Sequence, residues 1–226
     1  MIQDIANKLD LANHHSNATP EDVKKLCADV LTYGFNAAFV NPTYVALAKE
    51  KLGGKAKVGT AISFPLGQDT VEMKVYATQQ SIKLGADELD IVPNNALLLF
   101  DVTTYSQELK TIVYAARSVN ADIVVKFILE TGYLTDSQIK TGASAIVDAG
   151  ADFVKICSGM GRRGASLNDV KLVRESIGDR AKIKVAGGID TLEEAQGFLA
   201  AGADRIGTSS AVKIIEEMHQ ATSQSF

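Results

Sequence analysis

A three-residue signal recurs along this chain where helical patterns end. Residues 84–92 read LGADELDIV, residues 149–157 read AGADFVKIC and residues 201–207 read AGADRIG. In each, a glycine closes a helical segment, as a left-handed C-cap requires, and Ala-Asp leads into a short apolar run. YGFNAAFV at 33–40 and VNADIVVK at 119–126 are looser copies. Helix-glycine-strand joints repeated at periods of about 30 to 60 residues mean serial βα units and a parallel sheet.

The rest of the pattern agrees. Strands are predicted near 8–12, 36–41, 57–63, 87–92, 122–129, 152–157, 181–186 and 204–207. Helical patterns fill 20–33, 43–52, 70–84, 102–118, 135–148, 166–177, 191–201 and 209–220. Thr19 before Pro20, Glu21 and Asp22, then Thr135, then Thr191 with Glu193 and Glu194, supply cap signals. Eight strands, each followed by a helix, suit a (β/α)₈ TIM barrel. The alternative is a doubly wound sheet. That fold usually places a glycine-rich dinucleotide loop after its first strand, and no GxGxxG follows 8–12 or 36–41. With 226 residues and no Pro-rich, Ser-rich or low-complexity linker, 1–226 is expected to form a single barrel domain.

Composition narrows the function. The net charge is -4, with 22% charged residues of mixed sign, which favours neither nucleic acid nor an anionic membrane. No run of 18 apolar residues occurs and the first ten residues resemble no secretory signal, so a cytoplasmic location is expected. Cys27 and Cys157 fall on a predicted helix and a predicted strand, with no zinc spacing and no indicated disulfide.

The strands carry the chemistry. Parallel strands covered on both faces should read almost wholly apolar. Here DELDIV contains Glu88 and Asp90, IVVKFILET contains Lys126 and ends at Glu130, DFVKIC contains Lys155, and KIKVAGG contains Lys182 and Lys184. Side chains two apart share a face. Val154 and Ile156 suit the helix layer, leaving Phe153, Lys155 and Cys157 aimed inward. The same alternation aims Lys184 and Asp90 inward, and groups Lys126 with Ile128 and Glu130. One carboxylate and three amines are therefore expected to converge towards the C-terminal mouth, where barrel enzymes place their chemistry. A single mid-strand lysine is more often an exposed strand end or half of a structural ion pair. That reading weakens for a group in which cations outnumber anions. Burial and a neighbouring cation both lower an amine's pKa, and a neutral amine attacks carbonyls. The set asks for Schiff-base chemistry, with one lysine as nucleophile, a second lowering its pKa, and Asp90 moving protons.

Two further segments point to an anion. AGGID at 186–190 follows the seventh strand, and IGTSSAV at 206–212 follows the eighth and leads into a helix. Gly187 and Gly188 permit close backbone approach, while Ser209 and Ser210 sit at a helix N-terminus. Either motif alone is weak. Together, at the usual phosphate position of barrels, they indicate a phosphorylated substrate.

GADELDIV, KFILET, GADFVKICSG, IKVAGGI and RIGTSS, in this order, with VNPTYV at 40–45 and AISFPLG at 61–67, resemble the deoxyribose-phosphate aldolase family over nearly the whole chain. That resemblance implies a class I aldolase on a (β/α)₈ barrel. It implies reversible cleavage of 2-deoxyribose 5-phosphate to acetaldehyde and glyceraldehyde 3-phosphate, without metal or other cofactor, in deoxyribonucleoside breakdown. Under it, Lys155 is the Schiff-base lysine, Lys184 the lysine that depresses its pKa, Asp90 the proton relay and Lys126 its partner. Asp10 and Ser158 contact substrate, and Gly187, Gly188, Ser209 and Ser210 hold phosphate. Partners would be a small phosphorylated sugar and aldehydes, with a homodimer or higher homo-oligomer possible.

Departures from the family pattern bear on substrate. Ala12 replaces a threonine, His14 follows it, Phe39 stands where a cysteine is frequent, and Ile156-Cys157-Ser158 replaces the usual segment after the nucleophile. Another small sugar phosphate, or a weakly catalytic phospho-sugar binding barrel, are the alternatives. Arg162 and Arg163 are expected as a solvated loop pair, His14 and His15 as a loop pair near the mouth, and His219 at the surface. Cys157 is expected beside the site with little reactivity. The tail ends in Phe226, where the family can use a tyrosine.

Overall fold

The computed structural model describes residues 5–223, so the tail ending in Phe226 lies outside the described residues. Eight parallel strands close into a barrel in sequence order, with β1 hydrogen-bonded to β8. They are β1 (Leu9–Asn13), β2 (Ala37–Val40), β3 (Lys57–Ile62), β4 (Glu88–Ile91), β5 (Val124–Leu129), β6 (Phe153–Ile156), β7 (Lys182–Ala186) and β8 (Arg205–Thr208). The helices outside them are α1 (Pro20–Tyr33), α2 (Val45–Leu52), α3 (Val71–Lys83), α4 (Leu97–Phe100), α5 (Val102–Val119), α6 (Asp136–Asp148), α7 (Leu167–Ile177), α8 (Leu192–Ala200) and α9 (Ala211–Ser223). Three short 3₁₀ turns and the one-turn α4 are additions to the expected pattern. The caps form as expected. Thr19, Thr135 and Thr191 each build a capping box, with Asp22, Gln138 and Glu194 respectively.

The recurrent Gly-Ala-Asp has a specific job. Gly85, Gly150 and Gly202 take positive φ of 107°, 89° and 107°, ending α3, α6 and α8. The aspartate that follows accepts a backbone N–H from the second residue of the preceding strand: Asp87 from Val58 at 2.9 Å, Asp152 from Val125 at 2.8 Å, and Asp204 from Ile183 at 2.8 Å. Lys49, Arg117 and Arg174 neutralise the three carboxylates from outside. The motif thus fastens strands 4, 6 and 8 onto strands 3, 5 and 7. Its long period reflects every second βα unit rather than every one.

Two interiors result. Between strands and helices lies an apolar layer containing Leu89, Ile91, Val154, Ile156, Ile183 and Val185, all buried. Each such side chain contributes about 1.5–3 kcal/mol relative to exposure. Inside the barrel the strands present charge instead: Asp10, Glu88, Asp90, Lys126, Lys155 and Lys184 are all at most 3% exposed.

Candidate active site

Register brings the inward charges together. Lys155 lies beside Lys184 across β6 and β7, and Asp90 beside Lys126 across β4 and β5. Asp90 Oδ2 accepts from Lys155 Nζ at 2.7 Å and from Lys184 Nζ at 2.8 Å. Lys184 Nζ also reaches Asp10 Oδ2 at 2.8 Å. Its stem passes over Gly207, where a Cβ would stand 2.9 Å from Lys184 Cε. The Phe39 ring fills the space a side chain at Gly59 would need, and its centroid lies 3.5 Å from Lys184 Nζ. A cation held against a ring face inside a protein is stabilised as a cation.

Beneath this layer is a second one. Lys126 Nζ pairs with Glu88 Oε2 at 2.6 Å and with Asp90 Oδ1 at 3.2 Å. Arg205 pairs with Asp10 at 3.0 Å and lies 3.7 Å from Glu88. The Phe153 ring lies 5.5 Å from Lys126 Nζ and 5.7 Å from the Arg205 guanidinium. Among the described residues these two layers hold four cations and three carboxylates, more balanced than one carboxylate against three amines.

The protonation preferences follow from who faces whom. Burial, reinforced by the neighbouring Lys184 cation, holds the Lys155 amine below the ordinary lysine value even though Asp90 pulls it up. Burial also penalises the Lys126 ammonium, but Asp90, Glu88 and Asp10 outweigh it and raise Lys126. Burial would raise Asp90 and Glu88. The lysines win in both cases, holding Asp90 well below the usual carboxylate range and Glu88 at about 2. The arrangement gives one amine poised to be neutral, beside a carboxylate that stays ionised and a second ammonium. That is a nucleophile with a proton route.

A cavity of about 180 Å³ opens over Lys155, walled by Ala12, Phe39, Phe64, Asp90, Lys184, Ser158, Gly187, Gly188 and Ser209, among others. Two loops frame it through bare backbone. At Gly187, φ is 91° and a Cβ would stand 2.9 Å from the Gly159 Cα, so only glycine lets the loops after β6 and β7 meet. Ser158 is held there by its N–H to Glu130 Oε2 at 3.1 Å, and its Oγ accepts from Met160 N–H at 2.9 Å. His14 reaches the same wall. Burial, with the Lys155 charge, pushes its imidazole down to about 3, so it is neutral.

Several expected placements change. Lys126 is inward but lies below the wall, in contact with wall residues Asp90 and Phe39 from beneath. Asp10, expected against substrate, is fully buried and committed to Lys184, Arg205 and Asn36. Closure of β8 onto β1 brings Arg205 against it and seals it under Lys184. Ser210 is off the wall. Its Oγ donates to Asp190 Oδ1 at 2.7 Å and its N–H to Thr208 Oγ1 at 2.9 Å. Cys157 does not share the Lys155 face. At φ 60° it leaves the strand and turns against Thr131 Oγ1 at 3.1 Å, and burial pushes its thiol up to about 11. Arg163 is not simply solvated, because it pairs with Asp169. Arg205, Phe64 and Asp190 were missed. Alternation in ADRIG would have found Arg205, which shares a face with Gly207. Nothing local to the other two signals their place on or under the mouth.

The model of the "DeoC/LacD family aldolase" matches residues 3–216. A deoxyribose-phosphate aldolase from Caldicellulosiruptor saccharolyticus is 43% identical over 217 residues, covering 95% of this chain and 98% of that one. One from Mycoplasmoides gallisepticum is 41% identical over 214 residues, covering 94% of each. Among solved structures, "QR15, an Aldolase" superposes with a TM-score of 0.91 at 35% identity, covering 98% of both chains. The deoxyribose phosphate aldolase from Aeropyrum pernix, described as having a unique tetrameric structure, gives a TM-score of 0.88 at 34% identity, covering 96% of this chain and 92% of that one. With its family model matched over most of its length and these relatives well above 30% identity, the chain belongs to the DeoC/LacD family of aldolases.

Proposed function

We propose that the protein is a class I aldolase that cleaves 2-deoxyribose 5-phosphate reversibly to acetaldehyde and glyceraldehyde 3-phosphate. The observation that carries this is Lys155, buried over Asp90 beside Lys184, its amine held below the ordinary lysine value at the floor of the cavity. Lys155 Nζ attacks C1 of the open-chain sugar and loses water to form an imine. The C3 hydroxyl proton leaves, the C2–C3 bond breaks, and its electron pair enters the imine to give an enamine and glyceraldehyde 3-phosphate. The enamine takes a proton at C2, and water hydrolyses the imine to free acetaldehyde and Lys155. Asp90, bonded to both lysines, carries the protons. Lys184 keeps Lys155 neutral and supplies positive charge beside the imine nitrogen. Ser158 and the Gly187, Gly188 and Ser209 backbone border the far end of the substrate. Lys126 sets the charge of Asp90, and Asp10 holds Lys184 from below.

Release of acetaldehyde from 2-deoxyribose 5-phosphate by the wild type, absent in Lys155→Ala, tests this reading. Turnover by Lys155→Ala at the wild-type rate contradicts it. Among the described residues no helix is long and apolar enough to cross a membrane. The two cysteines are free and buried, which supports a reducing, cytoplasmic setting. Exposed Met73 and Tyr76 on α3 and Tyr114 on adjoining α5 support association of copies of this chain, to be read by sedimentation.

A further inference from the structure

On the aldolase reading above, we infer that Lys74 and Glu108, an ion pair outside the barrel, are positioning residues that clamp the loop after β3 and so keep Phe64 against Lys155. They stand on α3 and α5, and both are buried, at 1% and 4% exposure. Among the described residues no other ion pair outside the barrel interior has both side chains buried. Such a pair costs desolvation at both ends, and two well-packed apolar side chains would hold α3 to α5 as firmly. Apolar side chains could not hold backbone. Lys74 Nζ donates to Glu108 Oε1 at 2.7 Å and to the Gly67 carbonyl at 2.6 Å, and the same Glu108 oxygen accepts the Asn94 N–H at 3.0 Å. The pair therefore ties the loop after β3 to the loop after β4.

The tied loop is short and carries a wall of the site. Gly67 N–H donates to the Ser63 carbonyl at 2.8 Å, closing residues 63–67 into one turn. Gly67 has φ 68°, and a Cβ there would run into the Pro93 carbonyl oxygen, so the two loops meet backbone to backbone. Within that turn Phe64 borders the cavity over Lys155. Its ring centroid lies 5.8 Å from Lys155 Nζ and 5.0 Å from that of His14. Phe64 also borders a larger cavity of about 750 Å³ beside the first.

Burial is the leading cause of the lowered Lys155 amine. A Phe64 wall that drifts admits water, and the amine returns towards its ordinary value. The charged groups facing Lys155 are Asp90 on β4, Lys126 on β5 and Lys184 on β7, with neutral His14 just after β1. Replacing Lys74 and Glu108 together removes one charge of each sign and leaves all of these in place. A shift in the Lys155 titration then reports the wall.

The test is Lys74→Met and Glu108→Leu, made together. This double variant should fold with a urea midpoint near or above that of wild type, because apolar side chains replace a buried pair. It should lose about 10- to 100-fold in kcat/KM for 2-deoxyribose 5-phosphate. The acid limb of kcat/KM should move to higher pH by about half a unit or more. Amide exchange over 63–67 should quicken while that of β4 and β6 stays as it was. Phe64→Ala should give the same pH shift in the wild type, and should add less than about threefold to the loss in the double variant, since both act through one wall. Glu108→Gln keeps the shape of the pair and should show these changes in smaller measure.

A folded double variant with the wild-type rate and pH profile overturns the inference. So does one that loses rate while the limb and the exchange stay put, or one in which the Phe64→Ala loss multiplies in full. Failure of both the double variant and Glu108→Gln to fold assigns the pair to stability alone and equally overturns it. Absence of cleavage by the wild type overturns the aldolase reading instead, and the exchange over 63–67 still decides the clamp.

Discussion

Lys155 and Lys126 are two amines in one barrel, 3% and 0% exposed, each in contact with Asp90. Burial acts on both in the same direction, yet Lys155 ends below the ordinary lysine value and Lys126 above it. The difference lies in the neighbours. Lys126 faces Glu88 as well as Asp90 and feels Asp10. Lys155 shares a single carboxylate oxygen with another ammonium. Burial alone does not make an amine reactive. The count of opposite charges within reach decides whether the low dielectric strengthens an ion pair or expels a proton. On the proposed mechanism the lower layer is structure, and the upper one chemistry.

Substitutions separate the layers. Lys155→Met removes the proposed nucleophile and should lower kcat by ~10⁴-fold or more with the fold intact by circular dichroism. Lys184→Met should cost ~10²–10³-fold and also move the pH profile. With that cation gone, no second ammonium shares Asp90 Oδ2 with Lys155, so the Lys155 pKa rises and the acid limb of kcat/KM shifts to higher pH. A limb that moves to lower pH would break the comparison.

Glu88→Gln acts on the lower layer and should destabilise the barrel by about 3 kcal/mol in urea unfolding, since it leaves Lys126 short of a partner. It carries a pH signature. A carboxyl held at about 2 in the fold against an ordinary 4.5 contributes stability that is full above the ordinary value and lost as pH falls towards 2. The variant should lack that segment of the stability curve. Phe39→Leu is the mildest. It removes the ring under Lys184, worth about 0.5–2 kcal/mol, so a several-fold loss in kcat/KM with a small pH shift is expected.

What the sequence disclosed depended on period. In β4, β6 and β7 alternation holds to the strand end, so Asp90, Lys155 and Lys184 could be aimed inward from their neighbours alone. It fails at Cys157, one residue past β6, where positive φ turns the side chain out. The helix-glycine-strand joints gave the barrel, and Thr19, Thr135 and Thr191 marked three helix starts because caps are local. Other features exist only after closure. Asp10 meets Arg205 and Lys184 because β1 pairs with β8, some 195 residues away. Ser210 looked like an anion donor from its helix position. Its hydroxyl is spent on Asp190, 20 residues earlier in the chain.

The direct test of the central claim is borohydride trapping with acetaldehyde at neutral pH, followed by peptide mapping. Reduction of the imine leaves a stable ethylated amine on whichever lysine is neutral and accessible. The adduct should sit on Lys155 alone, with Lys126 and Lys184 unmodified. An adduct on Lys184 or Lys126, or none on Lys155, contradicts the account.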